Sequence, residues 1–193
     1  MITQTLKDDV LQCHRISCLS RNYRNNPLSL SNKVTCEPYL QTFQYKVLNR
    51  TLNCRYNLYN WKVSESSVCT YCNAEQIDTL EHHLILCRDS VEFWNRIRMW
   101  LNGKIEVIIN FTTCEILLGI PFSGNNPELL MLNFLLLFGK WYINKRKSSD
   151  QIIIFSDFLT RLKSKLEIFR DLYRLKGQSV KFNEAFGKIL DSL

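Results

Sequence analysis

Between residues 69 and 87 the chain reads Cys-Thr-Tyr-Cys-Asn-Ala-Glu-Gln-Ile-Asp-Thr-Leu-Glu-His-His-Leu-Ile-Leu-Cys. Cys69 and Cys72 have two residues between them, the spacing that lets two sulfurs reach one ion from a tight turn. After nine more residues come His82 and His83, and Cys87 closes the group. Thiolate and imidazole are the donors a tetrahedral Zn²⁺ prefers, and three sulfurs with one nitrogen form a closed set. A closed set leaves no position for water, so its role is structural and not hydrolytic. The alternative is a group of buried free thiols beside a solvated histidine pair. The spacing, the donor chemistry and a helix start within the segment together favour the metal.

The elements that must hold these donors follow from their neighbours. Asn73, Glu75 and Gln76 suit a surface crossing, and Asp78-Thr-Leu-Glu81 reads as a helix start with Asp78 as N-cap and Glu81 at the capping-box position. Cys69 and Cys72 therefore belong on a turn, and the histidine and Cys87 on a short helix. Two ligand sets remain open at this point. On a regular helix His83 and Cys87 are four apart and share a face, whereas His82 and Cys87 are about 140° apart. If Cys87 lies at or beyond the helix end, His82 reaches it instead.

The rest of the chain reads as helices. In 193 residues, 46% hydrophobic and 12% aromatic, there is enough apolar material for a proper core. Residues 39–61 begin with a helix through Tyr39, Leu40, Phe43, Val47, Leu48, Arg50 and Leu52, with Asn53 as its C-cap. Trp61 is expected to pack on the small metal core. Val91, Phe93, Trp94, Ile97, Trp100 and Leu101 step by three and four, giving an amphipathic helix stopped at Asn102-Gly103. Ile105 to Phe111 is a short strand or an extended loop, and Thr112 or Thr113 caps a short helix ending at Gly119. Pro121 to Pro127 is the clearest linker. Pro127 then opens a helix, apolar nearly all round, that carries Leu129 to Tyr142. Residues 151–176 form a second long helix with a seam at Phe155, Phe158, Leu162, Leu166, Phe169 and Tyr173, and Gly177 stops it. The expected organisation is a poorly defined segment 1–38, a helical domain 39–120 built on the metal group, and a basic helical bundle 121–193. Cys13, His14 and Cys18 are one donor short of a second closed site.

Charge and targeting narrow the partners. Net charge is +7, and from Lys140 onward twelve Lys/Arg stand against six Asp/Glu. That localised excess suits a polyanion, with Lys145, Arg146, Lys147, Arg161 and Lys165 as candidate phosphate contacts. The N-terminus lacks an apolar signal core, which points to the cytoplasm or nucleus with reduced cysteines, and not to secretion. Leu129–Ile143 is interrupted by Asn133, Gly139 and Lys140 and is too short to span a bilayer, so no membrane role is expected.

Phe43-Gln-Tyr-Lys-Val-Leu-Asn-Arg50, Leu58-Tyr-Asn-Trp61, Cys69-x-x-Cys72, Asp78-Thr-Leu-Glu-His82, Cys87 and Phe93-Trp94 occur in one order. That order resembles the zinc-binding domain C-terminal to the reverse transcriptase of LINE-type non-LTR retrotransposons, over roughly residues 40–101. Asp78 stands where the family has Glu, and His83 where it usually has Leu. The resemblance implies Zn²⁺ held by Cys69, Cys72, His82 and Cys87. It further implies an accessory role in target-primed reverse transcription, binding RNA or DNA beside the reverse transcriptase core of a parent polyprotein. On that view the chain is the detached C-terminal part of such a protein, in a nuclear or cytoplasmic ribonucleoprotein.

No catalytic residues are expected. The sequence has no polymerase Asp-Asp box, no glycine-rich phosphate loop, no Gly-x-Ser-x-Gly and no His-Glu-x-x-His, and no small-molecule substrate is implied. A zinc-stapled helical module for protein–protein interaction is the alternative, with the Leu129–Tyr142 helix and the Phe155–Tyr173 seam facing a partner.

Overall fold

The computed structural model describes residues 32–72, 75–104, 110–122 and 124–193. Residues 105–109 of the expected strand or loop Ile105–Phe111, and the Cys13, His14, Cys18 group, lie outside the described residues. The fold is mainly α. In chain order the helices are α1 (Pro38–Leu48), α2 (Arg55–Asn60), α3 (Arg88–Asn102), α4 (Thr113–Leu118), α5 (Pro127–Ser148), α6 (Phe155–Leu175), α7 (Ser179–Phe182) and α8 (Lys188–Leu190). Two π-helical turns join them, His82–Leu86 before α3 and Asn183–Gly187 between α7 and α8. Among the described residues the only β pairing is an isolated antiparallel bridge between Val68 and Ile77.

α5 is the axis. Pro127 sits in its first turn and the Asn126 side chain caps it by accepting from Leu129 N (3.0 Å). It is buried almost throughout, because α1, α3, α4 and α6 pack around it. α6 buries Phe158, Leu162, Leu166 and Phe169 along the expected seam, and Gly177 ends it in the left-handed region at φ 67°. Phe93 of α3 stacks on Tyr142 of α5 (5.7 Å) and meets Phe158 of α6 edge-on (5.0 Å), so three helices share one aromatic centre. Burying a side chain of that size stabilises by about 2–3 kcal/mol. The apolar cluster includes residues from Val34 to Leu190, on both sides of the Pro121–Pro127 stretch.

Polar side chains inside this core fix the packing. Asn133 bonds both backbone groups of Ile120 (2.7 and 2.9 Å) and so pins the chain that leaves α4. Lys140 is fully enclosed, and its amine donates to Gln44 Oε1 (2.7 Å) and Leu117 O (2.8 Å), tying α5 to α1 and α4. Burial pushes its pKa down to about 7. At Gly139 a Cβ would stand 2.8 Å from Trp94 Cη2, so glycine is what lets α3 lie this close to α5.

Several boundaries differ from the periodicity. α1 ends at Leu48, not near Asn53, because Arg50 turns left-handed (φ 57°) and the chain doubles back. The Asn57 amide holds that turn through Arg50 O and Leu52 O (both 2.7 Å). α6 begins at Phe155, four residues later than expected, after a non-helical run from Gln151 to Ile154 that ends in an extended Ile154. Of the two threonines expected to cap α4 it is Thr112 that does so, and Glu115 completes a capping box with it.

Candidate metal centre

Cys69 and Cys72 sit on a knuckle whose two arms are joined by Cys69 N donating to Gln76 O and Asp78 N to Ser67 O (both 2.8 Å). The second arm leads into the turn His82–Leu86. Asp78 does not act as the N-cap. Thr79 takes that place, its hydroxyl accepting from His82 N (3.2 Å), while Asp78 Oδ2 accepts from Arg55 N (3.0 Å) and from the His83 ring. Glu81 pairs with Arg50 and does not complete a capping box. The π-helical turn widens the spacing of side chains, and Cys87 then adopts an extended ψ of 137° outside the helix.

This geometry settles which histidine faces the sulfurs. His82 Nε2 is 3.3 Å from Cys72 Sγ, and Cys69 Sγ is 3.9 Å from Cys87 Sγ. The donor atoms of Cys69, Cys72, His82 and Cys87 all lie within 4.8 Å of one another, and all four residues are buried. A tetrahedral ion with Zn–S bonds near 2.3 Å holds its sulfurs roughly 3.8 Å apart, so the cluster has the size and the donor chemistry of a zinc site. His83 points elsewhere, its Nδ1–H donating to Asp78 Oδ2 (3.0 Å). Burial, the largest influence, keeps its imidazole below its ordinary pKa against the pull of Asp78. Burial also acts to raise Asp78, but the His83 bond and charge, the Arg55 amide and Lys147 together hold that carboxyl low. His83 is thus a strut that fixes the turn on which His82 is mounted.

Lys147 is a residue of the site that sequence reasoning placed elsewhere. It was expected on a phosphate-facing surface; instead it is 2% exposed and its amine donates to His83 O (2.7 Å). Tyr71, between the two knuckle cysteines, lies under that amine at 5.3 Å and donates its hydroxyl to Lys147 O and to Asp150 Oδ1. Burial works against ionising Cys87, yet the His82 bond and the Lys147 charge outweigh it and lower the thiol to about 6. Cys69 moves the other way, raised by burial and by the charge on Cys87. Three thiolates and one neutral imidazole around a divalent ion would carry a net charge of about −1, and the Lys147 side chain buried beside them would offset it.

The other candidate phosphate contacts are in varied states. Lys145 is exposed. Arg146 is largely buried, its Nε donating to Ile152 O (2.8 Å) and its Nη1 lying 3.6 Å from Asp157. Arg161 pairs with Asp157 (2.9 Å) and Lys165 with Glu37 (2.6 Å). With Lys140 and Lys147 interior, the basic excess of the C-terminal third is smaller at the surface than the count implies. Trp61, expected to pack on the metal core, is 48% exposed.

A buried Cys₃His centre on a knuckle and a short helical turn, docked on a helical core, defines a structural metal-binding module. Residues 16–94 match the family model described as zinc-binding in reverse transcriptase. That segment contains all four donors, and the resemblance to a reverse-transcriptase zinc-binding domain is confirmed over those residues. Neither the curated proteins nor the solved structures yield a match. Among the described residues no helix is long and apolar enough to cross a membrane.

Proposed function

We propose that this chain is a non-catalytic zinc-binding module of a non-LTR retrotransposon-type reverse transcriptase, holding RNA or DNA for a polymerase core during target-primed synthesis. The Cys₃His cluster inside a segment matching the reverse-transcriptase zinc-binding family carries this reading. Its +7 charge supports a polyanionic partner. The zinc closes the knuckle and sets its orientation, and exposed cations around it meet phosphate.

The test is a salt titration of nucleic-acid binding by the zinc-loaded chain. Micromolar affinity that falls linearly in log–log with salt is expected. Absence of binding at low salt defeats the proposal. The protein–protein alternative needs the α5 and α6 apolar faces free, and both are packed against each other and their neighbours.

A further inference from the structure

The segment 38–64 contains four cations, Lys46, Arg50, Arg55 and Lys62, and no aspartate or glutamate. It also contains aromatic side chains that the fold leaves in solvent. α2 has no buried residue, and Tyr56, Tyr59 and Trp61 on and just after it are 43%, 50% and 48% exposed. A short helix with three exposed rings is costly to present to water unless the rings have a use. Beside it lies an open cleft of about 490 Å³ between α1 and α5, lined among others by Tyr39, Lys46, Asn53, Trp141 and Asn144. The cleft and α2 share the turn Arg50–Asn53, which Asn57 holds rigid. No acidic residue lines this cleft, whereas two other clefts carry Asp89 with Glu92, or Glu184. Of the carboxylates flanking the segment, Glu37 pairs with Lys165 and Glu81 with Arg50, Asp78 accepts from the Arg55 amide and the His83 ring, and Glu65, exposed three residues after Lys62, is the one acid beside the aromatic face. No described acid is ion-paired with Lys46, Arg55 or Lys62.

We infer that the α2 aromatic face and the adjoining α1–α5 cleft form a binding track for single-stranded nucleic acid, with unpaired bases stacking on Tyr56, Tyr59 and Trp61 and phosphates meeting Lys46, Arg55 and Lys62. The inference rests on the nucleic-acid reading above and moves its centre from the C-terminal helices to the segment preceding the metal knuckle. Base–aromatic stacking tolerates any sequence and requires bases free of a duplex, so single strands are the ligand class this surface fits. Half-exposed rings on a helix with no fully buried residue can also be changed with little loss of core packing.

The test uses fluorescein-labelled oligo-U, oligo-dT and a blunt duplex of equal length, titrated with the zinc-loaded full chain and read by anisotropy. Either single strand is expected to bind at least tenfold more tightly than the duplex. Tyr59→Ala with Trp61→Ala should weaken single-strand binding about tenfold or more, while Trp61→Phe retains most of it. Metal content and melting temperature should match the parent in each variant. Equal or tighter duplex binding overturns the inference. So does full affinity in the double variant with loss in Lys145→Ala/Arg161→Ala, an outcome that leaves the broader nucleic-acid reading standing. If no nucleic acid binds at low salt, both fall together. The oligo-U and oligo-dT arms separate RNA from DNA as the source of the strand.

Discussion

The metal knuckle and the aromatic centre of α3, α5 and α6 are held by different physics. Among the described residues the knuckle's own apolar cluster is Cys69, Cys72 and Cys87 with part of Tyr71, far too small to order a chain by apolar burial. The aromatic centre encloses Phe93, Phe134, Phe138, Tyr142 and Phe158 at no more than 2% exposure each and needs no ion. One region depends on coordination and the other on area removed from water. A metal bound there would stabilise a local structure docked on a core held by apolar burial.

Removing the metal tests this division most severely. Apparent zinc binding in small finger peptides is worth about 10–16 kcal/mol, so chelation should abolish the order of residues 67–87. Hydrogen exchange should show protection lost there and retained along α5 and α6; simultaneous collapse of both would erase the distinction. The converse variant is Phe158→Ala, which should cost about 3–5 kcal/mol of global stability by urea unfolding with one equivalent of zinc still bound. Loss of metal in that variant would show the core to be a condition of the site.

Lys147 belongs to both regions, and it sharpens the contrast. Lys147→Met keeps much of the aliphatic stem but removes the donor to His83 O and the charge beside Cys87. Zinc affinity measured against a competing chelator should fall about 10–100-fold, as for other outer partners of metal ligands, with little change in melting temperature. Unchanged affinity would remove Lys147 from the site. Lys140 gives an effect confined to the core, read as a slope with pH. Its folded pKa is depressed to about 7 against about 10.4 unfolded, so between those values the unfolded chain binds a proton the native one lacks. Stability should accordingly rise with pH across that window, by up to about 1.4 kcal/mol per unit. Urea midpoints of the parent and Lys140→Met at pH 7.5 and 9.5 isolate this slope; parallel behaviour of the two proteins would refute it.

The two regions were also unequally legible in the sequence. The Cys69/Cys72 spacing, the threonine cap at 112 or 113, the Pro127 helix start and the α6 seam are local patterns, and periodicity or turn chemistry reads them directly. The orientation of His82 depended on a π-helical turn and an extended Cys87, which no three-or-four-residue step reveals; the motif resemblance supplied that answer where helix geometry leaned the other way. Lys147 was unreadable for another reason. Nothing near it in sequence says that a helix beginning twenty residues earlier will dock its last turn onto the knuckle, so a lysine in a basic triplet looked like a surface residue. Trp61 erred in the opposite direction, because proximity to a small core in sequence suggested burial that α2, lying on the surface, does not provide.

Gly139 has a reach that its size conceals. The hollow left by its missing side chain receives Trp94, whose indole N–H is anchored on Leu84 O at 2.8 Å, within the same turn that carries His82. A residue more than fifty positions downstream thereby sets the seat of the ring that seats the ligand. Change at that spot in α5 is not free to drift separately, and any lineage that fills the hollow must reshape Trp94 as well or accept a displaced imidazole.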